Sequence, residues 1–401
     1  MIEASSTGHK AVSRPTQAPR VGVVCDMLEE DWFSMNLVAD MLLSGLRNGN
    51  SGGFEASRLR PPMRRRFTGA GGRRLFNADR LLNRFWDYPR WLRRRRDEFD
   101  LFHVVDHSYA QLVHQLPPER TVVTCHDLDT FRCVLEPEAE PRSPLFKAMT
   151  RRVLEGFRRA ARVACDSSAT RDALVAHGLF THERLAVIPN GVHPAFSRRA
   201  DAEADREAER LLGPRDTCAV ELLHVGSTIA RKRVDVLLKV FAEVRREFPR
   251  ARLIRAGGDF TAEQCALAES LGVADSVVVL SYLSAEELAA VYRRAALVLL
   301  PSEREGFGLP VVEALACATP VVASDLSVLR EVGAEAATYC AVGDVEAWAE
   351  AVATLIRERE REPSRWNERQ EAGARRASLF TWREYVARTV ELYREVLSSC
   401  V

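Results

Sequence analysis

At 401 residues the chain is too long for one ordinary core, so two domains of roughly 150–200 residues each are expected. An apolar share of 46% against a charged share of 28% describes a soluble globular protein, and the lack of any run of about 18 apolar residues excludes a membrane-spanning helix. The net charge of +1 excludes a uniformly basic or acidic chain, but it hides a local excess described below.

Residues 1–19 are polar, lack an apolar signal core and read as a loose tail. The nine cysteines are scattered, odd in number and without a CxxC. That argues against a disulfide framework or structural zinc and for a reducing, cytoplasmic setting. "RVGVVCD" (Arg20–Asp26) predicts a first strand, and "MNLVADMLLSGLRN" (Met35–Asn48) a helix with Val38, Met41, Leu42 and Leu46 near one face.

From Arg58 to Arg96 fourteen arginines stand against Asp79 and Asp87, a local net charge of +12, leaving −11 for the remainder. Phe67, Leu75, Phe76, Leu81, Leu82, Phe85, Trp86, Trp91 and Leu92 lie among them. Such a mixture suits an anionic membrane surface, where each basic residue is worth roughly 1 kcal/mol. It equally suits a solvated, arginine-biased helical face, since the whole chain holds only four lysines. Both readings stay open, and with them a peripheral position on the inner membrane face.

Further strands are expected at Leu101–Val105, Thr121–Cys125, Arg162–Asp166 and Arg184–Pro189. "SSATRDALVAHG" between them reads as a helix with a serine start and a glycine stop. The charged stretch Arg198–Asp216 separates the halves, and the rhythm restarts at "AVELLHVG" (Ala219–Gly226). A helix with Val234, Leu237, Leu238 and Phe241 at i, i+3, i+4, i+7 follows, then the runs "ARLIRAGG", "SVVVLSY", "ALVLLP" and "TPVVASD". Near-continuous apolar strands alternating with amphipathic helices predict parallel sheets covered on both faces. The expectation is an α/β protein of two doubly wound, Rossmann-like domains facing across a cleft. Residues 20–190 would form the first, 191–378 the second, and 379–401 a last helix.

In open parallel sheets, ligands bind beyond the carboxyl ends of the strands. The loop after Leu300 holds Glu305, Gly306, Phe307, Gly308 and Leu309, with Glu313 eight positions beyond Glu305. Glycines let a backbone approach a ligand, Pro310 suits a helix start, and the helix's first amides favour an anion. Two carboxylates beside an anion site suit a ligand that is both phosphate and polyol. The alternative is a turn with solvent-facing glutamates. After Val225, Gly226 closes a strand and Arg231 and Lys232 precede a helix, where they would neutralise a diphosphate. His126 and Asp127 stand at another strand exit; His126 would bond a sugar hydroxyl or leaving group, or else cap the next helix. Asp26, Asp106, His107 and Tyr109 stand at further exits and would line an acceptor pocket.

These segments resemble the family 4 retaining glycosyltransferases, which have the GT-B fold. The resemblance rests on "EGFGLPVVEALACATPVVASD", "VGSTIARKRVDVLL", "VTCHDL", "VIPNGV" and "GDVEAWAEAV", and extends from about Arg20 to Leu397. It implies hexose transfer from a nucleotide-diphosphate sugar with retained anomeric configuration and no metal; no cofactor or nucleic acid is expected, and the basic segment suggests a saccharide or lipid-linked acceptor in cell-envelope polysaccharide or glycolipid assembly. It assigns the donor diphosphate to Arg231 and Lys232 and the ribose to Glu313. It assigns the donor sugar and its phosphate to Glu305 and the backbone of residues 306–309, with His126 touching the sugar. It also implies a C-terminal helix, around Trp382–Leu397, that returns to the first domain. The sequence departs from the family at "DMLEEDWFSM", which lacks the usual glycines, at Ser227 and at His193. A nucleotide-sugar epimerase or hydrolase, or a non-enzymatic membrane- or polyanion-binding protein, would fit the same fold.

Overall fold

The computed structural model describes residues 18–30, 32–47, 52–67, 73–216 and 219–400; nearly all of the expected tail, and residues 68–72 of the arginine-rich segment, lie outside them. In the first domain β1 (Arg20–Val24), β2 (Glu55–Leu59), β3 (Leu101–Val104), β4 (Thr121–Cys125), β5 (Arg162–Cys165) and β6 (Leu185–Val187) form one sheet. Its order is β2-β1-β3-β4-β5-β6, and every pairing is parallel. In the second, β7 (Glu221–Val225), β8 (Arg252–Ala256), β9 (Val277–Leu280), β10 (Leu297–Leu300), β11 (Val321–Ser324) and β12 (Thr338–Cys340) lie in the order β12-β11-β10-β7-β8-β9, again all parallel. The order reverses between β1 and β3 and between β7 and β10. Loops leaving such neighbours diverge to opposite faces and open a crevice.

The strands are apolar on both faces because both faces are covered. Val122 enters one core layer and Val123 the other; Leu222 and Leu223, like Leu253 and Ile254, divide the same way. The strand β2, "EASRL", was not among the expected strands. It is an edge strand with four of its five residues outside the core, so it lacks the apolar run that marks the others.

The charged stretch expected to separate the halves contains the helix Ala202–Leu212. Asp201 caps it through the amides of Glu203 and Ala204, both at 3.1 Å. Ala204, Ala208 and Leu212, at i, i+4, i+8, are buried in the second domain's core. Three small apolar residues suffice to seat it, which is why its charge dominates the sequence.

The last helix, Trp382–Ser398, returns to the first domain as expected. Trp382, Tyr385, Val386, Val390 and Tyr393 share one core with Val38, Leu42 and Leu46 of the helix Phe33–Arg47. Burying each such side chain is worth about 1.5–3 kcal/mol. The two helices touch at Gly45, where a Cβ would come within 2.5 Å of Val386 Cγ2. Tyr393 Oη lies 2.7 Å from His103 Nδ1, whose other nitrogen meets Thr124 Oγ1 at 2.7 Å. The chain's two crossings run side by side, and the amide of Val192 donates to Phe380 O at 3.0 Å.

Candidate active site

The reversal between β7 and β10 brings together the two loops singled out in the sequence. Arg231 and Lys232 sit in one turn, Ala230–Lys232, just before the helix Val234–Glu247. Lys232 Nζ donates to Glu305 Oε1 at 2.6 Å, and Arg231 reaches Glu305 Oε2 at 3.4 Å and Arg304 O at 2.9 Å. The Glu305 side chain is 7% exposed. Burial alone would raise its carboxyl, but Lys232 and Arg231 hold it below the usual carboxylate range.

The first domain closes the other side. Arg231 Nε lies 3.0 Å from Asp129 Oδ2, and its guanidinium lies 3.7 Å from Asp127. Arg304 Nε donates to Asp129 Oδ1 at 3.1 Å. Burial, reinforced by Asp127, raises the Asp129 carboxyl despite these two cations. Between the domains lies a cavity of about 300 Å³, lined among others by Asp129, Arg132, Thr170, Arg231, Arg304 and Glu305.

The glycine-rich loop answers to the first domain as much as to a ligand. A Cβ on Gly306 would lie 1.9 Å from the His126 carbonyl oxygen, so the two backbones touch across the interface. Ser167 Oγ donates to Gly306 O at 2.9 Å. Phe307 is buried edge-on to Phe380, with ring centres 5.7 Å apart. Gly308, at φ +97°, opens the helix Leu309–Ala316 in a backbone region that side chains avoid. Pro310 occupies that helix's first turn. Glu313 is not among the residues lining that cavity, and it accepts from Tyr292 Oη at 2.8 Å. Burial pushes its carboxyl up to about 7 although the Tyr292 bond opposes the rise. Gly226 ends β7 with its carbonyl oxygen held by Arg255 at 2.8 Å.

Four first-domain residues differ from expectation. His126 neither caps a helix nor faces the cavity: its Nδ1 lies 2.6 Å from Asp166 Oδ2 and its Nε2 2.8 Å from Val105 O. Two acceptors on one ring require two protons. Despite burial, Asp166 above all raises its pKa to about 10. It is the His126 backbone, pressed on Gly306, that meets the second domain. Asp26, His107 and Tyr109 stand at the ends of β1 and β3 but are at most 3% exposed, so they line no open pocket here. Burial and the facing Asp106 carboxyl push Asp26 well above the usual carboxylate range. His107 accepts the His126 amide at 3.3 Å, and Tyr109 Oη accepts from the Met27 amide at 3.2 Å beneath Arg84. The first-domain carboxylates that do reach the cleft include Asp127 and Asp129, at the exit of β4. Their partners Arg231 and Arg304, one hundred or more positions away, mark them out.

A family model described as Glycosyltransferase Family 4 matches residues 50–196, and one described as Glycosyl transferases group 1 matches residues 210–372. One falls on each sheet. The chain belongs to glycosyltransferase family 4. This family 4 member is 32% identical over 285 residues to a D-inositol 3-phosphate glycosyltransferase of Segniliparus rotundus, covering 69% of this chain and 61% of that protein. It is 34% identical to the like-named protein of Kineococcus radiotolerans over 59% of this chain and 58% of that one. The match thus spans about three fifths of these relatives' length. Among solved structures it resembles a sucrose-phosphate synthase from Thermosynechococcus elongatus, with TM-score 0.73, 18% identity, and coverage of 95% of this chain and all of that one. It also resembles HepE of Anabaena in complex with UDP and glucose, with TM-score 0.70, 16% identity and the same coverage. Both likenesses speak for the GT-B fold.

Proposed function

We propose that the protein moves a hexose from a nucleotide-diphosphate sugar to a hydroxyl acceptor with retention of anomeric configuration. One observation carries this: Arg231, Lys232 and Glu305 meet at the second sheet's switch point, facing the first domain across one cavity. In this reading Arg231 and Lys232 exchange their carboxylate partners for the donor diphosphate. Glu305, relieved of them, accepts from sugar hydroxyls, and Glu313 serves the ribose. The acceptor oxygen attacks the anomeric carbon on the face the diphosphate leaves. The carbon–oxygen bond to phosphate breaks, and the acceptor's proton passes to the departing phosphate oxygen. The two cations stabilise the charge growing there, an effect worth about 10²–10³ in rate per donor group in comparable sites. They supply that counter-charge without a metal, so EDTA should leave the rate unchanged; a loss restored by Mg²⁺ would refute that point.

The acceptor belongs to polysaccharide or glycolipid assembly in this proposal. The relatives' names add a phosphorylated cyclitol, and Arg132 and Arg304 in the cavity wall offer cations for such a phosphate. An anionic membrane is the proposed surface partner. Glu30 lies 3.5 Å from Arg84, and the Asp79 carboxylate accepts the Phe67 amide at 3.1 Å. The first domain exposes Leu28, Trp32, Phe67, Leu81, Leu82 and Trp86, the last four within the arginine-rich segment.

The test is a thermal-shift panel of nucleotide sugars, followed by product analysis with and without saccharide and inositol phosphate acceptors. One donor should raise Tm, and Glu305→Gln should cut transfer by about 10²-fold with the fold intact. Nucleotide release that never depends on an acceptor would point to an epimerase or hydrolase. An active Glu305→Gln protein, silenced only by removing the arginines, would point to a non-enzymatic role.

A further inference from the structure

The helix Ser168–Ala176 of the first domain begins with amides that its own domain does not cap completely. Ser167 Oγ accepts the Thr170 amide at 3.1 Å. The amides of Ser168 and Ala169 instead donate to the carboxylate of Glu331, which belongs to the second domain. Ser168 N lies 2.8 and 2.9 Å from its two oxygens, and Ala169 N lies 3.3 Å from one. A carboxylate on a helix N-terminus satisfies otherwise orphaned donors and complements the positive end of the helix dipole. Here both gains exist only while the domains touch.

The same helix start also holds the sugar loop. Ser167 Oγ and Thr170 Oγ1 lie 2.9 and 3.4 Å from Gly306 O, the carbonyl next to Glu305. Behind Glu331, Arg376 donates to Val332 O at 2.8 Å and to the Glu331 carbonyl, and its guanidinium lies 5.1 Å from the Phe380 ring centre. Phe380 meets Phe307 of the sugar loop and accepts the Val192 amide at the crossing between domains. One contiguous set of contacts therefore joins the crossing, the Glu331 cap and the loop bearing Glu305.

We infer that Glu331 is a positioning residue: by capping the Ser168–Ala176 helix from the opposite domain, it latches the domains closed and seats the Glu305–Gly308 loop for transfer. Its role for that loop rests on the transferase reading above; its role in closure does not. Charge-assisted bonds of this kind bias a two-state equilibrium by about tenfold to a hundredfold. With the latch gone, the loop should lose its seat and water should enter the cleft.

Small-angle scattering on the full chain tests closure without any ligand. Glu331→Ala should enlarge the radius of gyration and Glu331→Gln should fall between it and the wild type, with circular dichroism unchanged. With UDP-glucose, UDP-N-acetylglucosamine and GDP-mannose as donor probes, Glu331→Ala should lower kcat about tenfold or more. Donor KM should move less than about threefold, acceptor-independent donor hydrolysis should rise relative to transfer, and Glu331→Gln should restore part of kcat. A merely structural role would lower the active fraction without changing that ratio. An unchanged radius in Glu331→Ala would overturn the latch. Failure of the wild type to transfer from any donor would overturn the transferase reading while leaving the scattering result to judge closure.

Discussion

With Glu313 holding the donor ribose as proposed, its burial beside Tyr292 predicts a pH dependence of donor binding with a definite sign. The folded carboxyl sits at about 7, above its ordinary range, because its charged form is desolvated. The resulting stability is full below about 4.5 and is lost as pH rises through 7. Ribose hydroxyls are better partners for the ionised form, so donor affinity should rise with pH through about 7. Tyr292→Phe removes the bond that opposes the shift, so it should move the midpoint upward and weaken donor binding at pH 7 several-fold. Calorimetric Kd values from pH 6 to 9 check this; a flat profile in the wild type would remove Glu313 from the donor site. His126 works in the same direction. Its pKa, raised to about 10 by Asp166, gives stability that is whole below about 6.5 and lost as pH climbs through 10. His126→Gln should therefore lower Tm on the order of 5 °C at pH 7 and by less at pH 10. An equal loss at both values would mean the ring acts through packing alone.

At the scale of elements, the Glu305–Gly308 loop is short of side chains because two backbones pass there. Gly306→Ala places a Cβ on the His126 carbonyl, and a carbonyl in the middle of a buried exit cannot retreat. The expected result is more than tenfold loss of transfer with unchanged far-UV circular dichroism, since each domain keeps its own core. Wild-type kcat in that variant would show that the domains need not meet at Gly306 during turnover. The helix Ala202–Leu212 and the strand β2 make a related point. Each carries enough apolar surface for one face only, so charge masks the helix and polarity masks the edge strand.

The whole molecule is two sheets joined face to face, the second presenting its switch point and the first the exits of β4 and β5 to one cleft, tied by the crossing at Val192 and Phe380 and by the returning helix. The first domain also carries the arginine-rich surface. If that surface meets anionic lipid, the protein should sediment with vesicles containing phosphatidylglycerol at low salt and release as salt shortens the screening length. Trp86→Ala together with Arg64→Glu and Arg65→Glu should abolish the association. These side chains are exposed, so stability should not change. Wild-type protein that stays in solution with such vesicles would leave the surface as a solvated face.

Ten of the twelve strands, the parallel class and the glycine–carboxylate loop were legible in the sequence, because apolar runs such as Leu297–Leu300 and the spacing of Glu305 and Glu313 are properties of neighbouring residues; β2 and β12 lack such runs and were not. The last helix was visible too, through the face made by Val386, Val390 and Tyr393, but its return to the first domain was implied only by the family resemblance. What the sequence could not show was which distant groups share a charge or a hydrogen bond. Arg231 with Asp129, Glu331 with the amides of Ser168 and Ala169, and His126 with Asp166 are each one polar side chain among many alike. Their partners become definite only when two separately folded sheets are brought face to face, and burial then decides which of those charges must be paired.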